Sequence, residues 1–538
     1  MPSDAENDTG SRFPGDVETP STVVSLSPAT RRAGRLVFIA TLAVYLFTTG
    51  GSMATDSMTY EVTKSIVERG SVAMPGKILA LEAHRGVDGR YYAPYGIGHA
   101  LYSVPFYMIG RIVEVNLGFN VGRPDAVRKA AFVLGSAVAA ALTVWIVFLF
   151  AWRLTGDMSA SIATAFIVAF GTLLWPYSKY GFNAAAATLA VTAGVYAVWV
   201  GRRSDRIGPL VFAGVAFGGA LLIRPELTLA GVVAIVWFHG GDGGRWSRSD
   251  GFSAATPAPS VIPERIPSLL ALALPIAAAI AGMFAYNHAR FGSIWDSGYL
   301  RDSTATFNAP RATWEGFLGL LVSPGRSLFF YSPIVIAGVA ALVSLFRRDR
   351  STAWLLAGVT LALFGFYITL EYWDADRSYG PRYLVPVLPL LCLPLAYWLA
   401  AALRARWLAW LVALSVAVQI PGVAIDFTKA LPALGVSHPL LERRWNWEVA
   451  GLTLNTRAFA RFAPDNIRYL TGAATPPEIR APVGRGESFS DQFGYSLDFW
   501  WLYLFYFRKV SALTALALAA SLGLVAAWCV RALRTART

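Results

Sequence analysis

The stretch AAFVLGSAVAAALTVWIVFLFAW runs from Ala130 to Trp152 without one charged side chain. As a helix rising about 1.5 Å per residue, it is long enough to cross the roughly 30 Å hydrocarbon core of a bilayer. It forms most of a predicted span at 128–151. Further apolar runs predict spans at 36–54, 158–175, 184–200, 208–223, 227–239, 268–287, 328–346, 352–370, 384–403, 407–424 and 510–530. The segments at 208–223 and 227–239 form a tight hairpin. The second is below the usual spanning length and is expected to tilt or to bury itself against neighbours. The fold class is therefore an all-α polytopic membrane protein with about twelve transmembrane helices.

Composition agrees with that patterning. Of the 538 residues 55% are hydrophobic and only 15% charged, with a mean hydropathy of +0.49. Soluble domains carry about 25% charged residues, so the deficit is large. The net charge of +13 is explained by where the charges lie and calls for no nucleic-acid partner. Alternate connections carry Arg31, Arg32 and Arg35; Arg153; Arg202, Arg203 and Arg206; Arg245 and Arg248; Arg347, Arg348 and Arg350; Arg404 and Arg406; Arg531, Arg534 and Arg537. The positive-inside rule puts all of these, and both termini, in the cytoplasm of a bacterial-type plasma membrane. Residues 1–35 read as a disordered cytoplasmic tail ahead of a core at 36–424, with a Gly-, Ser- and Pro-rich linker at 241–266 and a last span with a basic tail at 510–538. Cys392 and Cys529 fall inside apolar runs, and the five histidines show no ligand spacing.

The other side receives the long loops 55–127, 288–327 and 425–509 and a short one at 371–383. Met58, Val62 and Ile66 share a face of a predicted surface helix over 58–69 that stops at Gly70. A second apolar surface helix is expected over 97–113. The run Phe499, Trp500, Trp501, Tyr503, Tyr506, Phe507 reads as an aromatic band at the water–lipid boundary.

No predicted span carries an ionisable residue near its middle, where a coupled transporter places its binding groups. Chemistry is therefore expected at the loops. Asp56 emerges just past the first span. It reads either as the cap of the helix at 58–69 or as a general base at the lipid boundary. Residues 371–383 pack Glu371, Asp374, Asp376, Arg377, Arg382 and Tyr379 among further aromatics. An arginine fork suits phosphate oxygens and aromatics stack on sugars, whereas the plainer reading is an interfacial anchor. Lys179 and Arg224 either face a phosphate or snorkel to the interface. Arg90-Tyr91-Tyr92-Ala93-Pro94-Tyr95-Gly96 reads as a rigid aromatic loop or a surface turn.

These motifs, in order, resemble the GT-C class of membrane glycosyltransferases. The branch is that of bacterial protein O-mannosyltransferase and lipid A aminoarabinose transferase-like proteins. The resemblance rests on Thr55-Asp56-Ser57 through Gly70, and on Tyr91 through Gly98 with Val104-Pro105-Phe106-Tyr107. It rests also on Leu321 through Arg326 with Tyr331-Ser332-Pro333, and on Ser378 through Tyr383. It implies transfer of a sugar from a polyprenyl-phosphate carrier to a lipid, glycan or protein acceptor, with inversion. By position Asp56 would activate the acceptor hydroxyl, while Arg382, Lys179 and Arg224 would steady the phosphate. Two positions depart from the family pattern: Ser57 follows Asp56 where many relatives have Glu, and Asn183 stands where many carry a carboxylate. Asn183 can hydrogen-bond a sugar but not act as a base, which weakens a two-carboxylate mechanism. No cofactor is required by the sequence, no metal ligands are assigned, and a divalent metal stays open. The competing readings are a twelve-span secondary transporter and a non-catalytic envelope protein.

Overall fold

A computed structural model describes residues 26–50, 57–75, 83–118, 125–204, 206–240, 262–298, 312–375, 378–401, 406–427, 430, 444–476 and 496–535. Most of this is helix: α1 (Pro28–Thr48), α2 (Ser57–Arg69), α3 (Gly98–Arg111), α4 (Ala126–Thr155), α5 (Met158–Gly171), α6 (Ala184–Arg202), α7 (Gly208–Ile223), α8 (Thr228–Gly240), α9 (Ile262–Phe291), α10 (Ala312–Val322), α11 (Ile334–Arg348), α12 (Arg350–Tyr367), α13 (Arg382–Ala400, in short pieces), α14 (Arg406–Ala424), α15 (Gly451–Thr471), α16 (Trp500–Tyr506) and α17 (Ala512–Thr535). One two-stranded ribbon, β1 (His84–Arg85) with β2 (Tyr91–Tyr92), pairs His84 with Tyr92.

Each predicted span falls on helical structure. Six helices among the described residues are long and apolar enough to cross a membrane: α4, α6, α9, α13, α14 and α17. The protein is a multi-pass integral membrane protein. Local chemistry sets the helix ends. Ser27 accepts from Thr30 N–H ahead of Pro28 at the start of α1, and Asp157 and Asp349 cap α5 and α12 by accepting from Ala160 and Thr352 N–H. Packing sorts the spans. α4 lies at the centre, against α1, α3, α5 and α6, and its apolar window is 78% buried, whereas that of α9 is 11% buried. An apolar helix left bare in this way has lipid as its solvent. Gly214 and Gly218 let α7 approach α9 closely; a Cβ at Gly214 would lie 2.4 Å from the Leu272 carbonyl oxygen.

The connections gather at two ends. At one, Arg203 pairs with Asp349 at 2.9 Å, Arg202 donates to the Trp237 carbonyl at 2.8 Å, and the Trp237 indole donates to the Ser351 carbonyl. This is the arginine end. At the other, the loop end, α2 and α3 are tied down by Arg128, which pairs with Glu68 at 2.8 Å and also with Glu114 and Asp125. The Tyr91–Gly98 segment sits on the tip of α7, with so little room that a Cβ at Gly96 would meet the Leu222 carbonyl at 2.2 Å. The region expected as loop over 425–509 holds the long helix α15. Its apolar side (Leu454, Ala458, Phe462) packs with Ile425 and Val449, an amphipathic pattern that was legible but not read. Of the tail expected as disordered over 1–35, residues 28–35 are instead the first turns of α1, and of the linker expected over 241–266, residues 262–266 begin α9; residues 1–25 and 241–261 lie outside the described residues.

Candidate functional site

At the loop end two neighbouring clusters form around the segment between α5 and α6, and they differ in how their cations are satisfied. The first starts at Gly380. Its φ of 71° and the Tyr331 ring, 2.7 Å from where a Cβ would stand, leave room only for glycine. The turn that follows launches α13 and sets Arg382 over the Phe182 ring, 4.4 Å from its centroid. Phe182 is itself stacked on Phe427 at 6.0 Å, and Phe427 meets Tyr180 edge-on at 4.7 Å. Arg382 is half-buried and makes no side-chain hydrogen bond or ion pair with any described residue. Asn183, next to Phe182 at the start of α6, is likewise half-buried and does not use its side chain as a helix cap. A guanidinium over an aromatic ring, with its donors unbonded by any described residue, is suited to a planar or tetrahedral oxyanion.

The second cluster is closed. Lys179 is fully buried, pairs with Asp498 Oδ2 at 2.7 Å and donates to the carbonyls of Asp498 and Val423. Tyr503 donates to Asp498 Oδ1 at 2.6 Å, and Asp426 lies buried close by. Burial pulls the Lys179 ammonium below the usual lysine range, opposed by the Asp498 carboxylate. The same strand of chain clamps α1: Asp498 crowds Gly50, and the Trp500 and Trp501 indoles donate to the Leu46 and Phe47 carbonyls.

Several expected ligand contacts are corrected by these surroundings. Lys179 faces Asp498 rather than the loop-end surface. Arg224 is buried, bonds Glu226 at 2.9 Å and the Tyr367 hydroxyl at 2.6 Å, and stacks near Tyr383. Both therefore have their charge met internally. Tyr379 is fully buried with its hydroxyl donating to the Val418 carbonyl at 2.6 Å. Tyr92 donates to Asp88 at 2.7 Å while its ring packs edge-on to Phe291, and its pKa is pushed up to about 12 by burial and by Asp88. Tyr95 packs with the Met58, Val62 and Met74 cluster. Arg382 lies over the Phe182 ring, and Asn183 follows Phe182 in the chain. Asp56 and Arg377 lie outside the described residues, and no group of three or more metal-ligating side chains occurs among those described.

Sequence reading missed the residues that hold this end together. Asp498 and Asp426 are lone acids inside Ser496-Leu497-Asp498-Phe499 and Ala424-Ile425-Asp426-Phe427, a setting that signals a buried partner. Arg444 grips Asp374 with two bonds of 3.0 and 3.1 Å, and Arg326 donates to the carbonyls of Asp374, Ser378 and Gly325.

Residues 125–256 match the family model of dolichyl-phosphate-mannose-protein mannosyltransferases. That region carries α4 to α8, and with them Lys179, Asn183 and Arg224. The match favours the membrane glycosyltransferase reading over a transporter or a non-catalytic envelope protein. No curated protein matches the chain in sequence. Among solved structures, ArnT from Cupriavidus metallidurans bound to undecaprenyl phosphate is 14% identical, over 94% of this chain and 76% of that one, with a TM-score of 0.48. Its apo state gives 12%, 95%, 78% and 0.48. Archaeal oligosaccharyltransferase AglB from Archaeoglobus fulgidus, in complex with an inhibitory peptide and a dolichol-phosphate, gives 12%, 90%, 64% and 0.42. Likeness at these scores is loose and assigns no residue.

Proposed function

We propose that the protein is a polyprenyl-phosphate-dependent glycosyltransferase working at the non-cytoplasmic face, with both termini in the cytoplasm. It takes a sugar from a lipid-borne phosphate and passes it to a lipid, glycan or protein acceptor. The observation that carries this reading is Arg382: a half-buried guanidinium on an aromatic shelf, with no described carboxylate to neutralise it. An unpaired charge in such a place is costly unless a ligand anion completes it. The mannosyltransferase match supports the same chemistry.

In the proposed reaction the acceptor oxygen attacks the anomeric carbon as Asp56 takes its proton. The bond from that carbon to the phosphate oxygen breaks, and polyprenyl phosphate leaves with the electron pair. Arg382 meets the charge that grows on the departing phosphate, and Asn183 hydrogen-bonds the sugar. Attack opposite the leaving group inverts the anomeric centre. A phosphate is already a fair leaving group, so positioning, one base and one cation suffice. To test this, purified protein in lipid is given radiolabelled polyprenyl-phosphate sugars and an envelope extract. Transfer by the wild type and its near-complete loss in Asp56→Asn, with an unchanged unfolding temperature, are expected. Equal transfer by both proteins removes Asp56 from the mechanism.

A further inference from the structure

α15 covers the loop end and uses one face to do so. Leu454, Asn455, Ala458, Phe462 and Asn466 are buried. Asn455 donates to the Pro421 and Ile425 carbonyls at 3.1 and 3.3 Å, and Asn466 accepts from the Tyr506 hydroxyl and from Leu497 N–H. The helix is thus pinned from the end of α14 to α16, and its opposite face looks away from the bundle. Arg457, Arg461 and Arg468, all exposed, line one edge of that face, roughly 110° around the helix from the centre of the buried side. At about 100° per residue these three fall within roughly 40° of arc, in a row about 16 Å long. Asp465 meets Arg468 at 3.4 Å; Arg457 and Arg461 bond no described acid. Arg508 and Lys509 extend the basic surface, exposed in the turn after α16, whose Tyr506 lies against Tyr469 of α15. Arg508 holds a φ of 54°, a conformation glycine would adopt more cheaply.

These cations repel one another along the helix, and Arg508 and Lys509 sit just before α17 on the side where the positive-inside bias disfavours them. Among the described acids only Asp465 meets one of them, Arg468, and the remaining charge faces solvent, where a polyanion can reach it. A lipid surface is the poorer partner: a helix that lies on headgroups needs its apolar face for the acyl boundary, and α15 spends that face on the protein. A row of charges of this length matches a chain that repeats its negative charge. We infer that α15 docks an extended anionic glycan polymer, phosphodiester- or carboxylate-bearing, as the acceptor. The role as acceptor rests on the glycosyltransferase reading; the binding does not.

The full chain in nanodiscs of neutral phosphatidylcholine is titrated with a poly(glycerol phosphate) chain, and separately with phosphatidylglycerol vesicles, against the variant Arg457→Gln/Arg461→Gln/Arg468→Gln. The wild type is expected to bind the polymer in a salt-sensitive manner. The variant, unfolding at the same temperature, is expected to bind at least about tenfold more weakly with a shallower salt dependence. Equal polymer binding by both proteins, or binding of the vesicles alone, overturns the inference. Donor turnover measured alongside separates the two readings. Transfer without polymer binding sinks only the docking site, and polymer binding without transfer sinks only the catalytic assignment.

Discussion

Lys179 and Arg382 lie on either side of Tyr180 and Phe182, at the same end of the bundle, yet they differ in every respect that matters to a ligand. The ammonium of Lys179 has no exposure and meets Asp498 and two carbonyls; the guanidinium of Arg382 is half-open and rests on a ring. A point charge that is fully paired has nothing left to offer a substrate, and its worth is structural. A fork over an aromatic ring, with its donors free of described partners, is the one the proposed mechanism gives to the donor phosphate. The comparison teaches that position at the loop end does not decide whether a cation is already paired; the acids packed beside it do.

The largest effect expected from breaking this contrast falls on stability. Lys179→Met leaves the Asp498 carboxylate buried and unpaired, a loss on the order of 3–5 kcal/mol. Thermal unfolding in detergent should show it, and adding Asp498→Leu should restore at least half. A single variant as stable as the wild type would mean that the pair is not what secures this end. Arg382→Ala should do the reverse, leaving the unfolding temperature nearly unchanged while lowering donor turnover by roughly 10²-fold. Arg382→Lys should fall between, because lysine keeps the charge but loses the flat fork. Turnover that survives both substitutions would move the phosphate site elsewhere.

The smallest effect concerns Glu61 on α2, outside the spans. Partial burial raises its carboxyl above the ordinary value of 4.5, with Lys64 opposing. A raised folded-state value for an acid means that the folded protein binds more protons than the unfolded one. Stability therefore falls as pH rises through that window. Glu61→Gln should raise the unfolding free energy at pH 7, by less than about 1 kcal/mol after solvent screening, read as a small rise in unfolding temperature, and the gain should vanish below the unfolded-state value. A pH-independent difference would show that burial of the charge is not its cause.

Each apolar run read from hydropathy falls on helical structure, and six of those helices are long and apolar enough to cross a membrane, because whether a run of side chains can sit in hydrocarbon is settled within about twenty consecutive residues. Two of the arginine-bearing connections do meet, through Arg203 and Asp349. Local pattern also placed the surface helix at α2 and nominated Asp56, Arg382 and Asn183. Which cations are spent was beyond it. Lys179 and Asp498 stand 319 residues apart in the chain, and nothing near Lys179 in sequence announces that a returning segment will bury it. Tyr379 and Arg224 likewise meet partners distant in the chain, Val418 and Tyr367. A side chain's polarity belongs to the sequence, but the satisfaction of that polarity belongs to whatever packing brings alongside, and only the tertiary structure decides that.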